Sequence, residues 1–452
     1  MEQKSRIRGG VAQLANFILK RGIGLILASL VVALFSSTPV HEWAATPGQI
    51  RVLEGHSALL KLGLPVSATV TTSNAQVAAV HGPPDSRNAF NLKQPIRIDS
   101  FTQGDADVKV KLFGILPLKS VHVSVVPDIK VVPGGQSIGV KIKSDGIMVV
   151  GYNLVKDHNR SLSPGEAANV KVGDVITAID GRAVQGVEQA ADLINKAGKE
   201  KRDIELTLLR SKNHIKLRVT PTWDKDSETY RIGLYIRDSA AGVGTLTFFA
   251  PKYNVFGALG HVISDMDTGQ PIAVKEGQVV HSSVTSIDKG ESGQPGEKRG
   301  NMIDEHNVLG TIKKNSDFGV FGTMKKTPDY GKTTEPIPIA LAEQVKEGPA
   351  TILTVVDGQK VEEYSIEIVN VLRQKYPATK SMVIKITDPR LLEKTGGIIQ
   401  GMSGSPILQD GKIVGAVTHV FVNDPTQGYG VFIEWMLNEA GIQTKTASAK
   451  AS

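Results

Sequence analysis

From about Gly48 onward the chain is written in short runs of alternating apolar and polar residues, and the rhythm changes twice. Between Gly48 and Asp128, stretches such as Ile50-Arg51-Val52-Leu53 and Val108-Lys109-Val110-Lys111-Leu112 follow the period of two expected of half-buried strands, with Gly, Pro, Asn and Asp between them. This predicts a small β-rich module over residues 46–130, in which His56, His81 and His122 are isolated and suggest no chemistry. A new order begins at Pro133-Gly134-Gly135. Strand-like runs at Val140-Lys141-Ile142 and Ile147–Val150 precede a helix pattern, with Val187, Ala190, Ala191 and Ile194 at i, i+3, i+4 and i+7, closing near Gly198. Ile204, Leu206 and Leu208 then alternate again, so strand, turn, helix and strand predict one compact module over 131–222. The polar stretch Thr220–Thr229 reads as a linker. Residues 230–443 are strand-like almost throughout, as in Gly244–Phe249, Ile352–Val356 and Met382–Ile386, with a Gly-rich loop from Lys289 to Gly300 and a tail at 444–452. Many short strands predict a β-barrel pair or sandwich, within a mainly β multidomain chain.

The N-terminus breaks this pattern. Gly22–Phe35 is 14 residues without a charge, preceded by Lys20 and Arg21 and followed by Ser36, Ser37 and Thr38. A spanning helix needs roughly 17–25 apolar residues, so the segment sits between an export signal and a short anchor. The basic flank on its N-terminal side is expected to stay cytoplasmic and the rest to lie outside the cytoplasm. Residues 1–45 are therefore assigned to a basic flank plus signal or anchor.

Composition narrows the chemistry. At 452 residues the chain exceeds what one core organises, in agreement with several modules. Of the net charge of +7, five positive charges (Lys4, Arg6, Arg8, Lys20, Arg21) precede the chain proper, so no nucleic-acid-binding face is implied. The absence of cysteine excludes disulfides, Cys-ligated zinc, iron–sulfur clusters and thiol nucleophiles. Any nucleophile must be an oxygen or a nitrogen.

The stretch Gly401-Met402-Ser403-Gly404-Ser405-Pro406-Ile407-Leu408 supplies such a group. A serine between glycines lies on a tight turn whose backbone N–H groups can converge, and the Asp410-Gly411 hairpin signal fixes the strands behind it. The order resembles the nucleophile region of chymotrypsin-like serine proteases, which implies Ser403 as nucleophile and the N–H groups of Gly401 and Ser403 as oxyanion donors. Ser405 falls where that family has a small structural residue. A serine needs a base, and His261, in Gly257-Ala258-Leu259-Gly260-His261-Val262-Ile263, follows a strand as the family's histidine does. His281, His306 and His419 have less support. Two aspartates compete for the third place: Asp317, which resembles a strand-starting aspartate of the same fold, and Asp388, in Ile386-Thr387-Asp388-Pro389. Spacing favours Asp317.

Two further resemblances extend the reading. Ala167–Ile176 with Ile179-Asp180-Gly181 resembles the core signature of PDZ domains, and Ser137-Ile138-Gly139-Val140 fits that family's carboxylate-binding loop, implying capture of C-terminal or internal peptides. A plain turn in an unrelated α/β domain is the alternative. The blocks Gly257–Gly269, Ile386–Leu392 and Gln400–Trp435, with the membrane segment and the PDZ-like module, resemble the SpoIVB peptidase family of endospore-forming bacteria. That resemblance implies a triad of His261, Asp388 and Ser403, and it alone places Asp388 ahead of Asp317. It also implies a serine endopeptidase without cofactor or metal, anchored in or exported across the inner forespore membrane, with its catalytic domain between the two membranes. Such an enzyme would cleave itself and a membrane-embedded regulator of an intramembrane protease, leading to activation of a late mother-cell sigma factor. A broad envelope quality-control protease and a non-catalytic PDZ scaffold are the competing classes.

Overall fold

The structure is a computed structural model that describes residues 38–444 apart from 82–88, 158–159, 325, 327 and 375. The charge-free segment Gly22–Phe35 lies outside the described residues. Among those described, no helix is long and apolar enough to cross a membrane.

The chain forms two units, divided after Asp128. In the first, strands Gln49–Leu53, Leu116–Val126, Gly104–Leu112, Ser67–Thr72 and Ala89–Asn91 form one sheet in that order, and Ser57–Leu60, Ile96–Ser100 and Ala78–His81 form a second. Alternate residues of the long strands, Val108, Val110, Val121, Val123 and Val125, are fully buried in its core, as the period of two requires.

The second unit is built on two barrels. The first comprises β1 (Ser137–Tyr152), β2 (Leu234–Ala250), β3 (Val255–Ala258), β4 (Val274–Asp288), β5 (Glu297–Ser316) and β6 (Gly319–Met324). Pairing runs β1-β2-β3-β6-β5-β4 and returns from β4 to β1, which closes the ring. The second comprises β7 (Gly348–Thr354), β8 (Glu362–Val371), β9 (Met382–Ile386), β10 (Pro406–Gln409), β11 (Lys412–Phe421) and β12 (Asp424–Phe432), closed in the order β7-β8-β9-β12-β11-β10. Both rings therefore follow one topology, and closure leaves neither with an unpaired edge. Between β9 and β10 lies a short helix, α1 (Pro389–Thr395).

This closure joins two of the modules expected from the sequence through one strand. β1 precedes the PDZ-like segment, yet its first half, Ser137–Lys143, completes the first barrel, while Ile147 and Met148 pair with Ile176 and Val175 of the PDZ sheet. The PDZ-like module thus lies between the first two strands of the barrel along the chain. Inside the insertion, helix Val187–Lys199 covers strands Val175–Ile179, Ile204–Arg210 and Asn213–Val219, burying Ala190 and Ile194 as the spacing predicts. Asp180 and Gly181 both have positive φ (50° and 72°), the geometry of a two-residue hairpin turn. Asp174, almost fully buried, receives two hydrogen bonds of 2.6 Å from the Arg210 guanidinium.

Candidate active site

Ser403 sits at the tip of the turn that leads into β10, and glycine makes that turn possible. Gly401 and Gly404 have φ of 88° and 92°. A Cβ at Gly404 would lie 2.2 Å from the Thr245 carbonyl oxygen and 2.5 Å from the Leu259 nitrogen, so only a glycine lets the turn press against the first barrel. Neighbouring strands hold it there. The Thr245 N–H donates to the Ser403 carbonyl at 3.2 Å, the Thr245 hydroxyl to the Gly401 carbonyl at 2.7 Å, and the Thr247 hydroxyl to the Gly404 carbonyl at 2.8 Å. Within the turn the N–H groups of Gln400, Met402, Gly404 and Ser405 are spent on Gly296, Ile399, Val417 and Met402. Among the described residues, the N–H groups of Gly401 and Ser403 have no acceptor. They are the pair free to donate to an oxyanion. Ser405 is fully buried, which removes its hydroxyl from any substrate.

His261 lies three residues after the end of β3, on the segment that packs against the Ser403 turn. Leu259 lies against Gly404, and a Cβ at Gly260 would lie 2.9 Å from Thr418 Cγ2 on β11. The His261 ring stands 5.6 Å, centroid to centroid, from that of His419, on the same strand as Thr418. Its Nδ1 is 2.8 Å from the Val262 carbonyl oxygen. A carbonyl only accepts, so Nδ1 carries the proton and Nε2 keeps its lone pair, the tautomer a general base requires. Burial pushes the His261 pKa below its ordinary value, with the Val262 carbonyl opposing. His419 is lowered too, first by burial and then by His261 and Lys380.

The structure does not bring Asp388 to His261. Asp388 caps α1: its Oδ1 accepts from the Arg390 N–H at 3.0 Å, its Oδ2 accepts from the Ser365 N–H at 3.2 Å and from the Arg390 guanidinium at 2.8 Å. These bonds, with Arg390 first, pull its pKa down to about 2. Val383 of β9 and His419 of β11 both pair with Tyr429, whereas Asp388 lies five residues farther along. Asp317 stands elsewhere, on the two-residue turn between Ser316 and Gly319. The register of β3 with β6 ends where Ala258 pairs with Val320, before the chain turns through Leu259 and Gly260, both of positive φ. Gly319 already touches this segment, since its Cβ would lie 3.1 Å from the Gly260 nitrogen. Asp317 is exposed and, among the described residues, hydrogen-bonds to nothing.

One residue of the site has no signal in the sequence. Lys298, in a polar run of β5, is 2% exposed and lies under the nucleophile turn, its Cβ and Cε each 3.2 Å from where a Cβ of Gly401 would sit. Its backbone N–H donates to the Gln400 carbonyl at 2.9 Å. Its Nζ donates to the Thr245 and Thr354 hydroxyls and to the Val355 carbonyl at 3.2–3.3 Å. Burial without a carboxylate lowers its pKa to about 7.

Ser137–Val140 also differs from expectation. These residues form no carboxylate-binding loop. They are a buried strand segment whose two edges are occupied by β2 and β4, with Ile138 opposite both Gly244 and His281, so no edge is free for an added peptide strand.

Residues 228–437 match the family described as SpoIVB peptidase S55, and residues 137–220 match the PDZ domain. The chain is a SpoIVB-like serine peptidase with a PDZ domain. It is a serine endopeptidase. No curated protein matches the chain. Among solved structures, the PDZ domain of the SdrC-like protein from Listeria monocytogenes is 25% identical over 20% of this chain and 87% of its own, with a TM-score of 0.17. The inactive form of Rv3671c protease is 14% identical over 44% of this chain and 84% of its own, with a TM-score of 0.27. The thermostable serine protease AL20 from an extremophilic microorganism is 14% identical over 46% of this chain and 92% of its own, at the same TM-score of 0.27. The S55 match begins inside the polar stretch before β2 and so omits β1, the strand that closes the first barrel of this SpoIVB-like peptidase.

Proposed function

We propose that this peptidase acts in an intercompartmental sporulation pathway, cleaving itself and then a membrane-embedded regulator of an intramembrane protease, so that a late mother-cell sigma factor becomes active. The family match supports the pathway, and the charge-free Gly22–Phe35 segment behind Lys20 and Arg21 supports a catalytic domain on the far side of the inner forespore membrane. The PDZ domain would select termini or internal segments of the partner or of the chain itself.

The observation that carries the chemistry is a glycine-flanked serine with two unspent N–H groups, and a histidine in its base tautomer that follows the Leu259 segment packed against the same turn. Ser403 Oγ attacks the scissile carbonyl while His261 Nε2 takes its proton. The oxyanion is received by the N–H groups of Gly401 and Ser403, and the His261 imidazolium returns the proton to the leaving amine. The Val262 carbonyl orients the ring; Asp317 is the candidate that spacing favours for the third place, and Asp388 the one that the family resemblance implies. Wild type and Ser403→Ala protein are compared for self-cleavage, for fluorophosphonate labelling and for casein turnover. The reading stands if wild type labels and cuts itself while sparing casein, and Ser403→Ala does neither. Casein degradation would point to a quality-control protease, and an unlabelled wild type to a scaffold.

A further inference from the structure

We propose that the hairpin tip Phe113-Gly114-Ile115 of the first unit is a membrane-insertion point that docks the unit on an anionic lipid surface. The tip joins strands Gly104–Leu112 and Leu116–Val126, with Leu112 paired to Leu116 and the Ile115 N–H donating to the Leu112 carbonyl at 3.1 Å. Such turns ordinarily carry Gly, Asn or Asp. Here Phe113 is 89% exposed and Ile115 85%, the most exposed large apolar side chains among the described residues of this unit. Phe113 moreover holds φ at 53°, a region that bulky side chains avoid, so its backbone is strained in order to present the ring outward. Neither cost benefits an isolated soluble module, and lipid would offset both.

Charge points to the same surface. The strand reading Gly104-Asp105-Ala106-Asp107-Val108-Lys109-Val110-Lys111-Leu112 carries its lysines toward the tip and its aspartates at the far end. Lys119 joins the lysines across the hairpin, paired with Val110, whereas Asp105 and Asp107 are engaged by Ser124 and His122 at the other end. The shallow cavity beside Phe113 is lined by Val66, Ser67, Ala68, Thr69, Ala89 and Leu112, none of them acidic. An apolar tip with three lysines on the strands behind it is complementary to anionic headgroups.

The path of the chain brings the tip toward a membrane. Strand Gln49–Leu53 runs parallel to Leu116–Val126 with Gln49 opposite His122, so residues before Gln49 continue toward the tip end. Trp43, on the helix Thr38–Ala45, confirms this direction with its ring 5.6 Å from Lys119 Nζ. The chain that continues back to Gly22–Phe35 therefore enters the unit from the end that carries Phe113.

The absence of cysteine allows a direct test in the full chain. Phe113→Cys, Ile115→Cys and, at the far end, Gln103→Cys are each labelled with an environment-sensitive fluorophore. Each is mixed with phosphatidylcholine vesicles with or without phosphatidylglycerol. Insertion predicts a blue shift and a several-fold rise in emission at 113 and 115 but not at 103, dependent on phosphatidylglycerol and reduced by Lys109→Glu with Lys111→Glu. Two tip positions keep the test alive should one label disturb the fold. Labels at 113 and 115 that stay as water-exposed as 103 would overturn the proposal, as would a blue shift that appears without lipid and grows with protein concentration, which would indicate a protein partner. Vesicle flotation reads the N-terminal anchor separately, so flotation with an unshifted tip label removes the insertion point and leaves the anchor.

Discussion

Lys298 Nζ lies 3.3 Å from Thr245 Oγ1, and the same hydroxyl lies 2.7 Å from the carbonyl of Gly401, two residues before the nucleophile. A buried cation-forming side chain and the oxyanion turn are thus joined through one threonine. With its own N–H on Gln400 and its Nζ also on Thr354 and Val355, Lys298 ties β5, the end of β7 and the turn together. Ser403 is held in a shape set by the interior of the fold as much as by its own glycines.

This arrangement makes stability depend on pH in a calculable direction. Lys298 in the folded protein loses its proton at about 7, whereas in the unfolded chain it keeps one to an ordinary lysine value near 10.5. Between those values the unfolded state binds more protons, so the lysine's penalty is full below about pH 7 and is relieved as pH rises toward 10.5. Lys298→Met is expected to stabilise the protein most at and below neutral pH, and the difference from wild type should shrink in alkaline buffer. Urea unfolding across this range measures it. A difference independent of pH would show that Lys298 is charged in the fold.

His261 titrates in the opposite part of the scale. Burial lowers its pKa, so it remains a neutral base to a pH below that of a free histidine, about 6.5. As pH falls the unfolded chain takes up the proton first, and folding loses the corresponding stability below that point. In Ser403→Ala protein, the His261 ring proton resonance, identified by its loss in His261→Gln, should titrate below about 6.5. A midpoint above that value would mean that a carboxylate at the third place outweighs the burial of the ring.

The parts of this design that sequence could carry are those in which local chemistry and tertiary role coincide. Gly401 and Gly404 announce a turn because nothing else accepts their φ, and the helix Val187–Lys199 announces itself because its buried face repeats at its own period. β1 is different. Val140 and Ile142 alternate identically whether their strand closes a barrel or edges a PDZ groove, and only the partners β2 and β4, far along the chain, decide. Lys298 is less legible still, flanked by Glu297 and Arg299 in a stretch that reads as solvated surface. Asp388 shows the converse: its motif is conspicuous, but the Pro389 that follows it and the Arg390 beyond make it a helix cap.

The two aspartates can be separated by what each loss does. Asp388→Ala removes the cap of α1 and the partner of Arg390, and is expected to cost about 1–2 kcal/mol of stability while folded protein still reacts with a fluorophosphonate. Asp317→Ala touches no hydrogen bond among the described residues, so its unfolding midpoint should stay near wild type while its labelling rate falls about tenfold or more. Labelling rates measured beside unfolding curves decide between them. Folded Asp388→Ala that cannot be labelled, with Asp317→Ala at full rate, would return the third place to Asp388.

Gly139 tests whether Ser137–Val140 serves the peptide or the barrel. A Cβ at this position would lie 2.7 Å from Met302 Cγ and 2.9 Å from Val280 Cγ2, both inside the first barrel. If the segment were a carboxylate loop, Gly139→Val would weaken peptide binding and spare the fold. Because it is a strand paired on both sides, the substitution overpacks the barrel instead, with an expected loss of about 1–3 kcal/mol. The unfolding midpoint should fall. Self-cleavage should fall with it, since β1 pairs through Thr245, the residue that holds the Ser403 turn. Peptide affinity of the molecules that remain folded should be unchanged, because the PDZ sheet begins beyond Gly146, at Ile147 paired with Ile176. Loss of peptide affinity with an unchanged midpoint would restore the loop and remove β1 from the barrel.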